Sequence, residues 1–376
     1  MTQRIYRYGF PTEIHFGAGS RKLLTEKLAE LGSSRPLVVT DKTVARLGFF
    51  KEIVKLAPGS AVYRGVEGNP VGAQVAEGTK AYMDHGADSL VAVGGGAAID
   101  VAKAVAVTAN HPGSIFDYED GVPGQKPIDG EVPAIVAIPT TAGTGSEVGR
   151  STVISADDTK RKKIIFSPKL MPRIVLMDPE LTVGLPAGVT AATGMDALSH
   201  LVEAYLTPAD YNPLCDGIAL EGLRLVAKSL AKCVRTPGDL EARGDMMNAA
   251  LMGAVAFQKG LGAVHSCAHS LSTVVDLHHG LGIGIMLPYV MEFNQPAVPE
   301  KFDIMARTVR ASDFVGWLKG LKEVVGIPKT LGPAGVKAEH IGPLVEVAVK
   351  DVCHPLNPRP VTEEDFRRLF EKALSG

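Results

Sequence analysis

Cysteine is scarce in this chain. Four residues (Cys215, Cys233, Cys267, Cys353) are scattered through 376 with no CxxC pair. That spacing argues against a disulfide framework and suits free thiols in a reducing compartment. Charge of one sign is also missing: 39 lysines and arginines face 41 aspartates and glutamates, a formal charge of −2. Nothing electrostatic therefore points to nucleic acid or an anionic membrane as a partner. No apolar run has the length of a bilayer span. The longest candidates, Ser89–Val93 and Ala134–Ile138, are strand-sized, and the opening Met-Thr-Gln-Arg-Ile-Tyr-Arg-Tyr has no apolar signal core. A cytoplasmic protein with no membrane partner is the expectation.

What is present is an ordinary globular composition, 45% hydrophobic and 21% charged, in a chain longer than one core usually organises. Two domains are expected. In the first half, β-rich runs alternate with helical patterns. Pro36–Thr40, Ser60–Arg64, Ser89–Val93 and Ala134–Ile138 read as strands; segments from Lys42, over Val71–His85 and over Ile99–Val107 read as helices. This alternation predicts right-handed βαβ units and a mostly parallel sheet. Ser151–Ser155 and Arg173–Met177 are further strand-like runs that flank the basic tract Lys160-Arg161-Lys162-Lys163. After Gly184-Leu185-Pro186, alanine, leucine and methionine dominate and helical periodicity lasts almost to Gly376. The expected division is an α/β domain over 1–184 and an all-α domain over 185–376.

Two glycine-bearing loops follow predicted strands. Val93-Gly94-Gly95-Gly96-Ala97-Ala98 runs from strand through a glycine turn into a helix. The bare backbone and the free N–H groups of a helix start suit a phosphate, although the spacing is not GxGxxG. Thr140-Thr141-Ala142-Gly143-Thr144-Gly145 offers hydroxyls and exposed N–H groups for a phosphate or a nicotinamide amide. Asp41, just after the first predicted strand, is placed to accept hydrogen bonds from an adenosine ribose and to repel a 2′-phosphate, which favours NAD over NADP. A helix cap is the plain alternative for it. Neither loop ends in Gly-Lys-Ser/Thr, which disfavours NTP hydrolysis.

Five of the ten histidines lie between positions 200 and 279. Asp196 and His200 are four apart, as are His265 and His269, so on helices each pair shares a face. His279 follows, beside His278. Three imidazoles and a carboxylate suit Fe(II) or Zn(II) better than Mg(II). A lone histidine at such a position is more often a core or cap residue, and spacing alone leaves both readings standing.

GGGAAIDVAK (Gly94–Lys103), IPTTAGTGSE (Ile138–Glu147), DPELTVGLP (Asp178–Pro186), TGMDALSHLVEAY (Thr193–Tyr205) and GLGAVHSCAH…HHG (Gly260–Gly280) together resemble the iron-containing, group III alcohol dehydrogenase family. The resemblance is strong over about residues 5 to 300. It implies metal ligands Asp196, His200, His265 and His279, with His269 a substrate-site histidine near the metal and a candidate proton relay. It implies cofactor contacts or support from Gly95, Gly96, Ala97 and Asp100 at the pyrophosphate, Thr140, Thr141 and Thr144 along the cofactor, Asp41 at the ribose, and Lys162 beside it. Asn69, in the turn Glu67-Gly68-Asn69-Pro70, joins that cofactor set. The implied activity is metal-dependent, NAD-linked interconversion of an alcohol and an aldehyde or ketone, in a homodimer.

Departures from the family pattern are Ala97 in place of a common serine, Ser266 and Ser272 where glycine is often found, and a short segment over Arg307–Gly326. Rival readings are a maleylacetate reductase or hydroxyacid–oxoacid transhydrogenase, and a dehydroquinate synthase-like lyase that recycles bound NAD.

Overall fold

The computed structural model describes residues 9–208 and 211–376. Two compact units form. One comprises Pro11–Thr141 and Gly145–Val183; the other is built on Gly184–Gly376 and includes Ala142–Thr144 and, of the described residues before Pro11, Gly9 and Phe10.

The first unit is α/β. Its elements are β1 (Glu13–Phe16), α1 (Leu24–Glu30), β2 (Pro36–Asp41), α2 (Gly48–Leu56), β3 (Ala61–Val66), α3 (Gly72–His85), β4 (Ser89–Gly94), α4 (Gly96–Asn110), β5 (Ala134–Pro139), β6 (Ser151–Ser155), β7 (Lys162–Phe166) and β8 (Ile174–Met177). Six strands make a parallel sheet in the order β1-β8-β5-β4-β2-β3. The side-chain alternation of β4 explains the layers. Leu90 and Ala92 face the cluster of Ile99, Val101 and Val105, whereas Val91 and Val93 face Leu24, Phe50 and Ile53. Each buried Val, Leu, Ile or Phe among them contributes roughly 1.5–3 kcal/mol. Covered on both faces, β2, β4 and β5 read in the sequence as continuous apolar runs.

Chain order reverses at the β2–β4 junction: β2 leads outward to β3, while β4 leads the opposite way to β5. That makes a topological switch point, where the carboxyl ends of two adjacent strands open a crevice. Asp41 ends β2 and Gly94 ends β4.

Three details differ from the sequence pattern. The helix expected from Lys42 starts only at Gly48, because Asp41 Oδ1 accepts the N–H groups of Thr43 and Val44, each at 2.8 Å, and turns the chain first into a 3-10 turn at Val44–Arg46. Within the basic tract, Lys162–Phe166 is itself a strand, antiparallel to β6 with Ser155 opposite Lys162. The edge strand β1 is short and half exposed, so it has no apolar run to betray it.

The second unit is helical among the described residues: α5 (Ala187–Leu206), α6 (Pro213–Arg235), α7 (Leu240–Ala256), α8 (Ala263–Val275), α9 (His279–Asn294), α10 (Pro299–Thr308), α11 (Phe314–Val324), α12 (Ile341–Ala348) and α13 (Glu363–Ser375). Starts carry the expected caps: Asn212 and Pro213 on α6, Asp239 on α7, and a Thr362–Asp365 capping box on α13. Helix α5 is buried almost all round and packs against α6, α7 and α9. Its Ala- and Leu-rich sequence fits a central helix rather than a surface one. No described helix is long and apolar enough to cross a membrane.

Candidate metal centre and nucleotide loops

Helix α5 carries Asp196 and His200 one turn apart, and α8 carries His265 and His269 in the same relation. The link from α8 to α9 is very short. Asp276 adopts the left-handed conformation (φ 50°), and the Leu277 N–H closes on Leu271 O at 3.3 Å. His279 is therefore the first residue of α9, close beside α8. Next to it, Gly280 permits the approach of α5: a Cβ there would stand 2.4 Å from Ala192 O.

These elements bring four of the expected residues together. From Asp196 Oδ1, the Nε2 atoms of His200, His265 and His279 lie at 3.7, 3.9 and 3.5 Å. The rings of His200 and His265 stack with centroids 4.8 Å apart. His278, by contrast, is exposed. Asp196 Oδ1 is buried and has no hydrogen-bond partner, and the same holds for His200 Nδ1. Burial pushes His200 down to about 4 against the opposing pull of Asp196, which keeps that imidazole neutral. Two ligand atoms held about 2.1 Å from one ion stand roughly 3–3.6 Å apart. The observed separations are at or slightly above that range, and too long for hydrogen bonds. A carboxylate oxygen without a hydrogen-bond partner, facing three imidazole nitrogens, is a donor set that suits a borderline divalent cation.

A second layer surrounds them. Glu203, one turn beyond His200, has Oε2 hydrogen-bonded to His265 Nδ1, while its Oε1 accepts the Val264 N–H at 2.8 Å. Burial pushes this carboxyl up to about 8, opposed by the N–H groups of Val264, Gly262 and His265 and by His200. His269 Nδ1 lies 2.7 Å from Asp351 Oδ2, and its ring stacks on His279 at 5.4 Å. Asp351 Oδ1 accepts the Ser266 hydroxyl (2.7 Å) and the Cys353 N–H (2.9 Å). Burial works against ionised Asp351, yet His269, Cys353 and Ser266 hold it well below the usual carboxylate range. The two unusual serines are thus absorbed: Ser266 bonds Asp351, and Ser272 donates to Leu277 O at 3.0 Å.

In the α/β unit, Gly95 caps α4, and Gly96 and Ala97 form its first turn. Asp41 sits beside Gly94, where an added Cβ would be 3.3 Å from its Oδ2; Thr141 Oγ1 would be 3.1 Å from a Cβ on Gly95. Thr140 is buried, with its N–H on Gly94 O at 2.9 Å. Asp100 is turned inward, accepting from Ser146 Oγ (2.6 Å) and the Val153 N–H (3.2 Å). Lys162, at the start of β7, contributes positive charge to Asp100. Asn69 lies in the bend before α3. Thr144 belongs with the helical unit rather than with Thr140 and Thr141. Unforeseen was Lys103. It is fully buried, and its Nζ donates to Ser146 O (2.6 Å), Gly149 O (2.8 Å), Ser151 O (3.0 Å) and Ser146 Oγ (3.2 Å). Its place three residues after Asp100 in a helix of apolar residues was the available signal.

One chain thus carries a parallel sheet with a glycine turn at its switch point, the kind of crevice that takes a dinucleotide, and an imidazole–carboxylate cluster fit for a metal. Residues 11–179 match the family described as iron-containing alcohol dehydrogenase, and residues 190–374 match the C-terminal family of Fe-containing alcohol dehydrogenases. The chain belongs to the iron-containing alcohol dehydrogenase family. It is 39% identical over 377 residues to 4-hydroxybutyrate dehydrogenase of Cupriavidus necator, covering 96% of this chain and 98% of that protein. It is similar to the crystal structure of 1,3-propanediol oxidoreductase, with a TM-score of 0.93 at 34% identity over 99% of this chain and 100% of that one. Sulfoacetaldehyde reductase of Bifidobacterium kashiwanohense in complex with NAD+ has a TM-score of 0.89 at 28% identity, over 99% of each chain. The protein is an NAD-dependent alcohol dehydrogenase that interconverts an alcohol and a carbonyl compound by hydride transfer.

Proposed function

We propose that Asp196, His200, His265 and His279 hold a single Fe(II), with Zn(II) an acceptable substitute, and that the substrate is a short alcohol or its aldehyde. The observation that carries this reading is the buried Asp196 Oδ1, without a hydrogen bond and facing three imidazole Nε2 atoms at 3.5–3.9 Å. When bound, the ion supplies Lewis acidity that acidifies a hydroxyl or polarises a carbonyl, and the nicotinamide gives or takes the hydride. One carboxylate and three neutral imidazoles would leave a net positive charge at the site once a divalent ion is held.

The remaining work falls to the chain's own residues. His269 takes the released proton, its ring aligned by Asp351 through Nδ1. Residues 1–184 bind NAD. Gly95, Gly96 and Ala97 present helix-start N–H groups to the pyrophosphate, and Thr140, Thr141 and Thr144 line the cofactor. Asn69 and Lys162 flank it, and Asp41 meets the ribose with Oδ2, since Oδ1 is used by Thr43 and Val44. Asp100 supports this loop from within. Residues 185–376 hold the metal and the substrate. The names of the relatives, 4-hydroxybutyrate and 1,3-propanediol among them, favour short alcohols with a second polar group.

The test separates two neighbours. His279→Ala loses bound iron on purification or after chelation and reloading, whereas His278→Ala retains it. Equal iron content in the two variants would contradict the ligand set. A panel of short alcohols, diols and hydroxyacids with NAD then ranks substrates.

A further inference from the structure

Glu203 is a buried carboxylate outside the four-residue ligand set. It lies on the face of α5 that also bears Asp196 and His200, at i+7 and i+3. Its two oxygens have different tasks. Oε1 accepts the Val264 N–H at 2.8 Å in the first turn of α8, and Oε2 meets His265 Nδ1. Space for it is built in: a Cβ on Gly262 would stand 2.9 Å from Oε1. The helix start, with its unpaired N–H groups and positive dipole end, favours a carboxylate at this place.

We propose that Glu203 is a positioning residue of the metal centre, fixing His265 in the tautomer that leaves Nε2 to the metal while capping α8 with the same carboxylate. The inference rests on the ligand reading above. A neutral imidazole has one proton and can offer a metal only the nitrogen that lacks it. With Nε2 given to the metal, the proton sits on Nδ1 and Glu203 Oε2 accepts it there, the cation's charge favouring the carboxylate form that burial alone opposes. The ring is then held at one angle by a group that is itself anchored on α8. Carboxylates placed behind a ligating imidazole raise its basicity and fix its orientation. A residue that served only as a helix cap would change stability and leave tautomer and affinity alone.

Glu203→Gln discriminates the two roles. The Val264 N–H still needs an acceptor, so the amide oxygen takes the Oε1 place and the NH2 faces His265 Nδ1. That nitrogen must then accept, which moves the ring proton to Nε2, the ligand atom. Zinc affinity, read by competition with a chromophoric chelator, is expected to fall about 10–100-fold. Zinc-loaded wild-type protein labelled in its histidines gives a second reading that needs no variant: NMR should show His265 protonated at Nδ1. Coordination of His265 through Nδ1, or wild-type zinc affinity in Glu203→Gln, would overturn the proposal. His265→Ala separates this from the underlying reading. If that variant keeps its zinc, the ligand set itself fails and Glu203 with it. If it loses zinc while Glu203→Gln does not, only the role of Glu203 fails.

Discussion

His269 Nδ1 lies 2.7 Å from Asp351 Oδ2, a contact between residues 82 positions apart. It fixes which ring nitrogen of His269 points away from the carboxylate, the one that in the proposed reading exchanges a proton with substrate. Asp351→Asn and His269→Ala are both expected to keep their iron and to lower kcat, by roughly 10²-fold for the histidine and less for the aspartate. Steady-state kinetics on samples of measured metal content checks this. Loss of metal in either variant would mean a structural role instead.

Lys103 gathers three backbone carbonyls and one hydroxyl from the segment 146–151 onto a single buried ammonium. Replacing it with methionine keeps the volume and strands those oxygens. The expected cost is on the order of 3–5 kcal/mol, the size found when a buried charged partner is removed. Denaturant unfolding of the α/β unit reads it directly, and a raised KM for NAD should accompany it.

Glu147 gives the pH dependence. Burial pushes its carboxyl from 4.5 up to about 7, against the opposing effects of its own backbone N–H and of Lys103. The folded state therefore binds this proton more tightly than the unfolded chain does. Its stabilising contribution is complete below the unfolded value near 4.5 and is lost as the pH rises to 7. Glu147→Gln should flatten that decline, with a gain of about 3 kcal/mol over wild type at pH 8. Unfolding free energies measured from pH 4.5 to 8 test the sign; a gain confined to low pH would contradict it.

Asp41 both caps a turn and, in the proposed reading, meets the ribose. Asp41→Asn preserves the acceptor used by Thr43 and Val44 while removing the charge. The ratio of kcat/KM for NADP over NAD is expected to rise about tenfold with stability unchanged, within the usual worth of one charged contact. An unchanged ratio would remove Asp41 from the cofactor site.

Legibility in the sequence followed the physics of each element. Strands β2, β4 and β5 are buried on both faces, so they appear as unbroken apolar runs; β1, at the edge, has none. Helical spacing put Asp196 with His200 and His265 with His269. It could not join those pairs, because α5 and α8 meet through tertiary packing. Glu203 was within reach, sharing the α5 face with two candidate ligands. Asp351 had no local signal, since its meaning comes only from α12 packing on α8. Between His278 and His279 the sequence offers no distinction. The short turn at Asp276 and the bare Gly280 turn His279 toward Asp196 and leave His278 exposed.

The most direct test of the account is metal removal and return. Protein stripped with a chelator and verified metal-free should lose NAD-dependent alcohol oxidation, then regain it on addition of Fe(II), with the recovered rate tracking occupancy and reaching its full value at one ion per chain. A fully stripped sample that oxidises alcohol at the original rate would contradict it.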